Sequence, residues 1–600
     1  MKNVKDCSGN DLPFFALASV LDSYAVQTAF PKGSIWCLKL VVKNEEKQNF
    51  GCRPGQFYML RCRNSALLLA RPISVYDCKK ISDSEIALDF LILLKGQGTK
   101  ELVSVRKDDK IEVLGPLGNY WQSPDENQKV ALIGGGVGVA PVAAFASTLK
   151  EKSYDFYAAF KSGAYGLENI KPNRLTVTTD DGSVGIKGMI TAALDVQTIK
   201  NYDVVYACGP TPMLAAIQKL CKEADIKLWV SMENRMACGV GACLGCTIFT
   251  KEGNKRCCKD GPIFDGQIID FSKIDSPITS PKIEKRLPLK DESPDLTVNI
   301  CGVEFSNPVI AASGTFGYGS EYSSVIDVDG LGGICSKGLT FEGQLGNKGI
   351  RLIETPMGLI NSIGLENPGI KHFIENELPI MKKFKAKTIV NLSGKSLETY
   401  VEGAKLLEQT DIPMIELNIS CPNVKAGGMA FGMDCQAAST VVKAVRSATQ
   451  KPLMVKLSPN APDLIGVAMA VKEAGADAIS LINTIQATAI DIETGRPYFE
   501  NIRAGFSGPA VKPIALRMVY DLCLAMNKLN TNERIPVVGL GGITTWKDAV
   551  EFIMAGAAAV EVGTATFSNP KAMIEIVEGI KKFMERKGYK TLDDFRGCAL

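Results

Sequence analysis

The residues most committed to one chemistry lie between Met236 and Cys258, in the run MACGVGACLGCTIFTKEGNKRCC. Cys238, Cys243 and Cys246 are spaced C-x4-C-x2-C, and Cys257 and Cys258 follow. Three thiolates at that spacing with a fourth further on suit a [2Fe–2S] cluster, because soft iron takes soft sulfur. Gly239, Gly241 and Gly245 let the loop wrap a cluster with backbone N–H groups aimed at sulfur. Spacing alone does not choose between Cys257 and Cys258. Zinc is the competing reading, but zinc sites usually show two C-x2-C pairs and this run has one.

A second chemistry follows from a shortage. The chain carries 18 Cys and a single His, His372. His-rich metal sites and most Ser-His or Cys-His catalytic pairs are therefore excluded, and acid–base work falls to Cys, Lys, Tyr or a carboxylate. Cys421, in the run NISCPN, is a candidate base, since a thiolate of suitable pKa accepts a proton. Lys337 and Lys456 each end an apolar run, where a cation without an anion partner would be costly. A third chemistry is anion binding. IGGGVGVAP (133–141) follows a strand-like run and precedes a helix-like one, and ACGPTP (207–212) ends a later strand. Glycines there let a pyrophosphate approach a helix N-terminus, so Gly134, Gly135, Gly136 and Gly138 with Cys208, Gly209 and Pro210 are nucleotide-site candidates. Upstream, Arg71, Pro72, Ile73 and Ser74 and the run Gly96-Gln97-Gly98-Thr99 offer an Arg for a phosphate and hydroxyls for a ring or ribitol.

These groups need elements to hold them. From about 20 to 120, the runs SIWCLKLVV, GQFYMLRC, EIALDFLILL and KIEVLG alternate with turns and predict a small antiparallel barrel. From 129, KVALIGGG, DFYAAF, RLTVTT and DVVYACG predict strands alternating with helices, one of them VAPVAAFASTLKEK, in a parallel α/β domain. Residues 272–295 are rich in Pro, Ser and charge and read as a linker. Beyond it, eight apolar runs end in small or polar residues: 309–314, 333–338, 388–394, 414–420, 453–459, 478–484, 535–542 and 558–565. Eight such units in this length predict a (β/α)8 barrel, with an open doubly wound sheet as the alternative. The expected domains are 1–122, 123–229, 230–271 and 296–600.

Composition agrees with a multidomain globular chain. The 600 residues are 46% hydrophobic and 22% charged, which excludes wholesale disorder. Lys+Arg 68 against Asp+Glu 65 leaves +3, which argues against nucleic-acid binding. The N-terminal run MKNVKDCSGNDLPFF lacks signal-peptide features, and the longest uncharged run, Val130 to Leu149, is broken by glycines and a proline. A cytosolic chain without membrane contact is expected, with its cysteines serving ligation, catalysis or packing rather than disulfides.

The motifs ARPIS, GQGT, GGGVGVAP, ACGP and C-x4-C-x2-C, in that order, resemble the electron-transfer subunit of the NAD-linked (class 1B) dihydroorotate dehydrogenases, which is ferredoxin-reductase-like. The second half resembles the catalytic subunit of the same family. Its motifs are AASGTFG (311–317), SKG (336–338), NSIGLENPG (361–369), NISCPN (418–423), VKLSP (455–459), INT (482–484), SGPAVKP (507–513), GLGGI (539–543) and VGTA (562–565). The family normally has two separate chains, so this one resembles a natural or engineered fusion of the two. The resemblance implies FAD in the first barrel, NAD in the α/β domain and FMN in the (β/α)8 barrel. It favours Cys258, which precedes Lys259-Asp260-Gly261-Pro262, as the fourth cluster ligand. The chain departs at Leu91-Ile92-Leu93, where relatives often carry a Tyr-Arg pair against FAD, and in a shorter gap from Cys246 to Cys258.

The resemblance also implies roles. Cys421 takes the C5 proton of dihydroorotate as the C6 hydride leaves to the flavin. Lys337 binds FMN and the substrate carboxylate, and Lys456 stabilises charge developing at flavin N1–C2=O. Asn361, Asn418, Asn423, Asn483 and Thr484 match a pyrimidine's amide edges, and backbone N–H groups of Ser362, Ile363, Gly364 and Leu365 hold the carboxylate. Ser313, Gly338, Asn391, Ile482, Gly508, Gly541, Gly542, Gly563 and Thr564 complete the FMN site. Apart from the resemblance, Gly427-Gly428 after Cys421 reads equally as a movable lid or as a plain solvent loop. Electrons then pass from FMN to cluster, FAD and NAD+, which implies docked domains with the cluster between the flavins, in a homodimer. Two further readings are a reductase of another pyrimidine and an electron-transfer module serving a separate partner.

Overall fold

The computed structural model describes residues 13–27, 34–44, 51–63, 65, 67–272, 286, 288–289, 292–420 and 431–600. The chain divides into two compact units, 1–278 and 279–600, and the division falls within the segment expected to be a linker. Part of that segment is laid on the second unit: Arg286 pairs with Asp594 at 2.6 Å, and the N–H groups of Leu289 and Asp295 donate to the carbonyls of Glu585 and Lys590.

The first unit opens with a closed antiparallel barrel of six strands, β1 (Phe14–Gln27), β2 (Ile35–Lys43), β3 (Phe57–Cys62), β4 (Arg71–Ser82), β5 (Glu85–Leu93) and β6 (Lys110–Leu117). The four runs read from the sequence are β2, β3, β5 and β6. The other two were hidden by their composition. β4 begins Arg-Pro, and proline within a run argues against a strand. Here Pro72 faces Met59 of β3, while pairing with β5 starts only at Val75, so the missing N–H breaks no second ladder. A helix, α1 (Gln97–Val103), follows β5.

The α/β part is one seven-stranded sheet. Its members are β7 (Val130–Gly135), β8 (Tyr154–Phe160), β9 (Arg174–Thr179), β10 (Ile186–Lys187), β11 (Val204–Cys208), β12 (Lys227–Ser231) and, after the hairpin β13 (Thr247–Thr250) and β14 (Gly253–Arg256), β15 (Ile263–Asp265). The order is β10-β9-β8-β7-β11-β12-β15, parallel except for β15. The boundary expected at 229/230 falls inside β12, and β15 comes from the cysteine-rich segment, so both segments share this sheet. The helix expected over 139–152 is shorter: α2 spans Val139–Ala146. Ser147 and Thr148 hydroxyls donate back to the carbonyls of Ala144 and Phe145, and such local bonds compete with helix continuation.

The second unit is a closed parallel barrel of eight strands in chain order: β16 (Val309–Ala311), β17 (Gly333–Cys335), β18 (Lys387–Leu392), β19 (Met414–Asn418), β20 (Leu453–Lys456), β21 (Ala478–Leu481), β22 (Val537–Leu540) and β23 (Ala559–Val562). Each coincides with one of the eight runs, and the open-sheet alternative is excluded. The helices between strands are amphipathic. Cys435–Ala448, capped by Asp434 on the N–H groups of Gln436 and Ala437, buries Ala438, Val441, Val442 and Val445 on one face. Each such valine contributes about 1.5–3 kcal/mol. A four-stranded antiparallel sheet, including Leu352–Thr355, Gly358–Asn361 and Ala504–Ser507, is carried on the loops. Among the described residues no helix is long and apolar enough to cross a membrane.

Candidate active site

The last residues of the barrel strands meet in one buried polar network. Asn418 lies opposite Lys456, and Lys456 opposite Ser480, in the strand register. Residues two apart on a strand share a side, so Glu416 lies one layer deeper than Asn418. Glu416 accepts from Asn391 Nδ2 at 2.5 Å, Cys335 Sγ at 3.1 Å, Lys456 Nζ at 3.4 Å and Ser480 Oγ at 2.7 Å. Lys456 Nζ also reaches Glu561 Oε2 of β23 at 2.9 Å. Above this layer Asn418 Nδ2 donates to Asn391 Oδ1 (3.3 Å), its own Oδ1 accepts from Ser420 Oγ (2.9 Å), and Asn483 Nδ2 donates to Ser420 Oγ (2.7 Å).

The charges in the network are strongly coupled. Burial opposes the Lys456 ammonium, but the carboxylates of Glu416 and Glu561 hold its pKa above the usual lysine value. Burial also works to raise Glu416, and the Lys456 charge with hydrogen bonds from Glu561, Ser480 and Cys335 brings it below the usual range. Burial and then the Glu416 charge push Glu561 up to about 8. Three titratable groups, Lys456, Glu416 and Glu561, are thus held within the barrel. Glu416 and Glu561 were passed over in the sequence, although a Glu inside the apolar strands MIELNIS and AAVEVGTA was the signal that could have found them.

Other predicted residues of this barrel are placed as follows. Lys337 is half-buried just after β17, and Gly338 is buried beside Asn391: a Cβ there would meet Asn391 Oδ1 at 3.0 Å. Asn361 spends its Nδ2 on the Gly505 carbonyl at 3.2 Å. Ser362 is not available as expected, because its N–H already donates to the Arg351 carbonyl. The N–H groups of Ile363, Gly364 and Leu365 have no acceptor among the described residues. Asn483 Oδ1 accepts from the Thr484 N–H, and Ile482 is buried with its N–H on the Leu540 carbonyl. Ser313 follows β16, Gly541 and Gly542 follow β22, and Gly563 and Thr564 follow β23. Gly508 precedes the helix that begins at Lys512. Cys421, Asn423 and Gly427-Gly428 lie outside the described residues. Ser393, missed in the sequence, follows β18, and its buried hydroxyl has no partner among the described residues. The donor set and the polar strand ends fit a flavin and an amide-bearing substrate.

In the first unit, Cys246 Sγ and Cys258 Sγ lie 3.2 Å apart. The N–H groups of Gly241, Cys243 and Cys258 point at the sulfurs of Cys258 (3.1 Å), Cys238 (3.4 Å) and Cys246 (3.5 Å). Cys257 turns the other way, its buried thiol donating to the Met232 carbonyl at 3.1 Å. Burial works to raise Cys238, but the backbone N–H groups of Cys243 and Val240 bring it down to about 6. Burial and the adjacent Cys246 push Cys258 up to about 12, and two thiolates that close need a cation between them. The set fits an iron–sulfur cluster.

The nucleotide candidates also converge. β7 runs on to β8 and β9 on one side, and β11 returns on the other, so the β7–β11 border is the switch point where such sheets bind ligands. Gly134 and Cys208 are register partners there. A Cβ on Gly138 would meet the Cys208 carbonyl oxygen at 2.7 Å, and one on Gly135 would meet Pro210 Cδ at 3.0 Å. Gly136 is open, with nothing nearer than 3.9 Å. In the six-stranded barrel, Arg71 and Gly98 touch: a Cβ on Gly98 would lie 2.0 Å from Arg71 Nε. Thr99 Oγ1 caps α1 by accepting from the N–H groups of Lys95 and Gly96. Ile73 and Ser74 pair with Tyr58 and Phe57. Leu91 and Ile92 are buried core residues of β5, and Leu93 is half-buried. His372 is exposed, and Asn376 Nδ2 lies 3.3 Å from its ring Nδ1 and donates to its carbonyl at 3.0 Å.

A polar-floored (β/α)8 barrel, a nucleotide crevice and a four-thiol loop in one chain define a multicentre oxidoreductase. Residues 295–584 match the family model for dihydroorotate dehydrogenase, and residues 233–270 that for the iron–sulfur cluster binding domain of dihydroorotate dehydrogenase B. The chain is 53% identical over 303 residues to the dihydroorotate dehydrogenase B (NAD(+)) catalytic subunit of Petrotoga mobilis, covering 50% of this chain and 99% of that one. The corresponding subunit of Bacteroides thetaiotaomicron is 50% identical over 305 residues, with 51% and 98% covered. A solved NADH-dependent reduced ferredoxin-NADP oxidoreductase is 27% identical, with 43% of this chain and 91% of that one covered at a TM-score of 0.36. The chain belongs to the dihydroorotate dehydrogenase family, in its NAD(+)-linked B branch, and carries the catalytic and iron–sulfur parts in a single polypeptide.

Proposed function

We propose that this chain oxidises dihydroorotate to orotate in pyrimidine biosynthesis and delivers the electrons to NAD+. The observation that carries the reading is the presence, in one chain, of the full catalytic-subunit match and the iron–sulfur segment. When bound, FMN and FAD accept and release electron pairs, the [2Fe–2S] cluster carries electrons singly, and NAD+ takes the final hydride.

The chain's own residues bind, orient and move protons. Cys421 takes the C5 proton of the substrate. The preceding chain is anchored, since Ser420 is bonded to both Asn418 and Asn483. Asn361, Asn418, Asn423, Asn483 and Thr484 recognise the ring amides. Lys337 and the N–H groups of Ile363, Gly364 and Leu365 hold the carboxylate. Lys456, held charged by Glu416, would stabilise negative charge on the N1–C2=O side of a bound flavin. Ser313, Gly338, Asn391, Ile482, Gly508, Gly541-Gly542 and Gly563-Thr564 would hold FMN. Arg71 to Ser74, Leu91 to Leu93, Gly98 and Thr99 would hold FAD. The Gly134–Gly138 and Cys208–Pro210 loops would hold NAD, and Cys238, Cys243, Cys246 and Cys258 the cluster.

The functional units are read as FAD barrel 1–122, NAD domain 123–229, cluster segment 230–271 and FMN barrel 296–600. The chain is read as a homodimer. Supporting this, Leu345 and Ile492 are 88% and 87% exposed, with Leu352, Met357, Ile490 and Ile502 also exposed on the loops and hairpins of the second unit. Free cysteines suit the reducing cytosol.

The test is anaerobic dihydroorotate with NAD+ as sole acceptor. NADH should form in step with orotate, and none formed by protein holding all its cofactors overturns the reading. Cys421→Ala should keep flavin and cluster absorbance but slow flavin reduction by dihydroorotate at least ~100-fold. Normal reduction in that variant removes the base assignment.

A further inference from the structure

The two buried carboxylates of the barrel are not equivalent. Glu416 has four donors: Asn391, Cys335 and Lys456 on Oε2, and Ser480 on Oε1. Oε2 is thus saturated, while Oε1 has one donor and room for another, as an ionised carboxylate allows. Glu561 has one, Lys456 on Oε2, while its buried Oε1 meets no hydrogen-bond partner among the described residues. The Glu416 and Glu561 side chains are within hydrogen-bonding reach of one another, and with Cys335 their ligand atoms all lie within 4.8 Å. Two ionised carboxylates against one ammonium would leave a net negative charge in a buried core, which is costly. A proton on Glu561 removes that charge and gives its side chain a donor for Glu416. The charged and titratable groups facing Glu561 are Glu416 of β19, Lys456 of β20 and Cys335 of β17. Ser480 and Asn391 are the neutral neighbours of this layer.

We propose that Glu561 is a positioning residue for the barrel flavin: as a neutral acid it leaves the Lys456–Glu416 pair balanced, and its ionisation adds a negative charge that opposes electron uptake by FMN. The inference rests on the flavin reading above. Reduction of FMN takes two electrons and one proton while Glu561 is neutral. Once Glu561 is ionised, reduction also draws a second proton from solvent onto its carboxylate. The electrons come from dihydroorotate, or from the mediator in a titration. Burial and the Glu416 charge push this ionisation up to about 8.

The experiment is a potentiometric titration of the fully loaded chain between about pH 6 and about pH 10. The FMN component is identified as the one missing from protein reconstituted without FMN. In the wild type, proton uptake per electron pair should rise from one to two as pH passes the ionisation of Glu561. In Glu561→Gln, the uncharged isostere, it should stay at one throughout. A wild type that stays at one, or a Glu561→Gln variant with the same rise, overturns the proposal. Thermal unfolding of the same proteins supplies the second readout. A carboxyl held protonated in the folded state favours folding at low pH, and that contribution is lost as pH rises from the ordinary carboxylate range through about 8. Wild type should lose stability across that window relative to Glu561→Gln, and parallel curves count against the proposal. Protein that binds no FMN at all defeats the flavin reading and the inference together, whereas bound FMN with parallel potential lines defeats the inference alone.

Discussion

At the residue scale, chemistry was readable wherever a side chain is costly unless it has a partner. The C-x4-C-x2-C run needed no structure to be recognised as a ligand loop. For the fourth ligand the spacing left Cys257 and Cys258 open and the resemblance favoured Cys258, since two adjacent cysteines differ only in which way the backbone turns them. Cys258 faces Cys246, and Cys257 faces the Met232 carbonyl. Cys258→Ser should therefore abolish the broad cluster absorbance. Cys257→Ser should keep that absorbance and cost about 1 kcal/mol of stability at most, since a hydroxyl can still donate to the carbonyl. Iron content and visible spectra of the two variants decide it, and equal cluster loss in both would remove the assignment. Glu416 and Glu561 teach the converse: both stand in plain view in the sequence, but their meaning depends on donors brought from four other strands.

At the element scale, the runs that end in small or polar residues were legible as strands because burial on both faces leaves an uninterrupted apolar core. What failed were segments whose local signals conflict with their packing. β4 carries a proline, and β1 alternates weakly. The strand is tolerated in β4 because Pro72 is paired on one side only. α2 stops early because its Ser and Thr bond backwards. The close approach of the β7 and β11 loops is a consequence of sheet order rather than of either motif alone. A Cβ on Gly138 would meet Cys208 and Gly209 backbone atoms at 2.7–2.8 Å, and backbone cannot step aside. Gly138→Ala should thus push the loops apart at a cost of about 1–3 kcal/mol. NADH affinity should fall roughly 10-fold or more, with FMN content unchanged. Titration of the oxidised protein with NADH reads this directly, and unchanged affinity would separate the glycine loop from nucleotide binding.

At the scale of the whole molecule, two units stand in one chain, and the second exposes apolar side chains that a lone domain would ordinarily cover. If those side chains meet a second copy, light scattering should give twice the 64.6 kDa chain mass at micromolar concentration. Ile492→Lys combined with Leu352→Lys should shift the population toward the monomer with both flavins retained, and a monomeric wild type would refute the dimer. The sequence by itself determined both barrels, the cluster loop and the family, because these follow from periodicity and from motifs short enough to be read along the chain. Only the tertiary structure decided which cysteine faces the cluster loop, that the cysteine-rich segment lends β15 to the nucleotide sheet, and that one lysine is shared by two carboxylates. Those facts depend on side chains meeting across strands far apart in sequence: Lys456 and Glu561 are separated by 105 positions and lie 2.9 Å apart. No local pattern records a contact that only barrel closure creates.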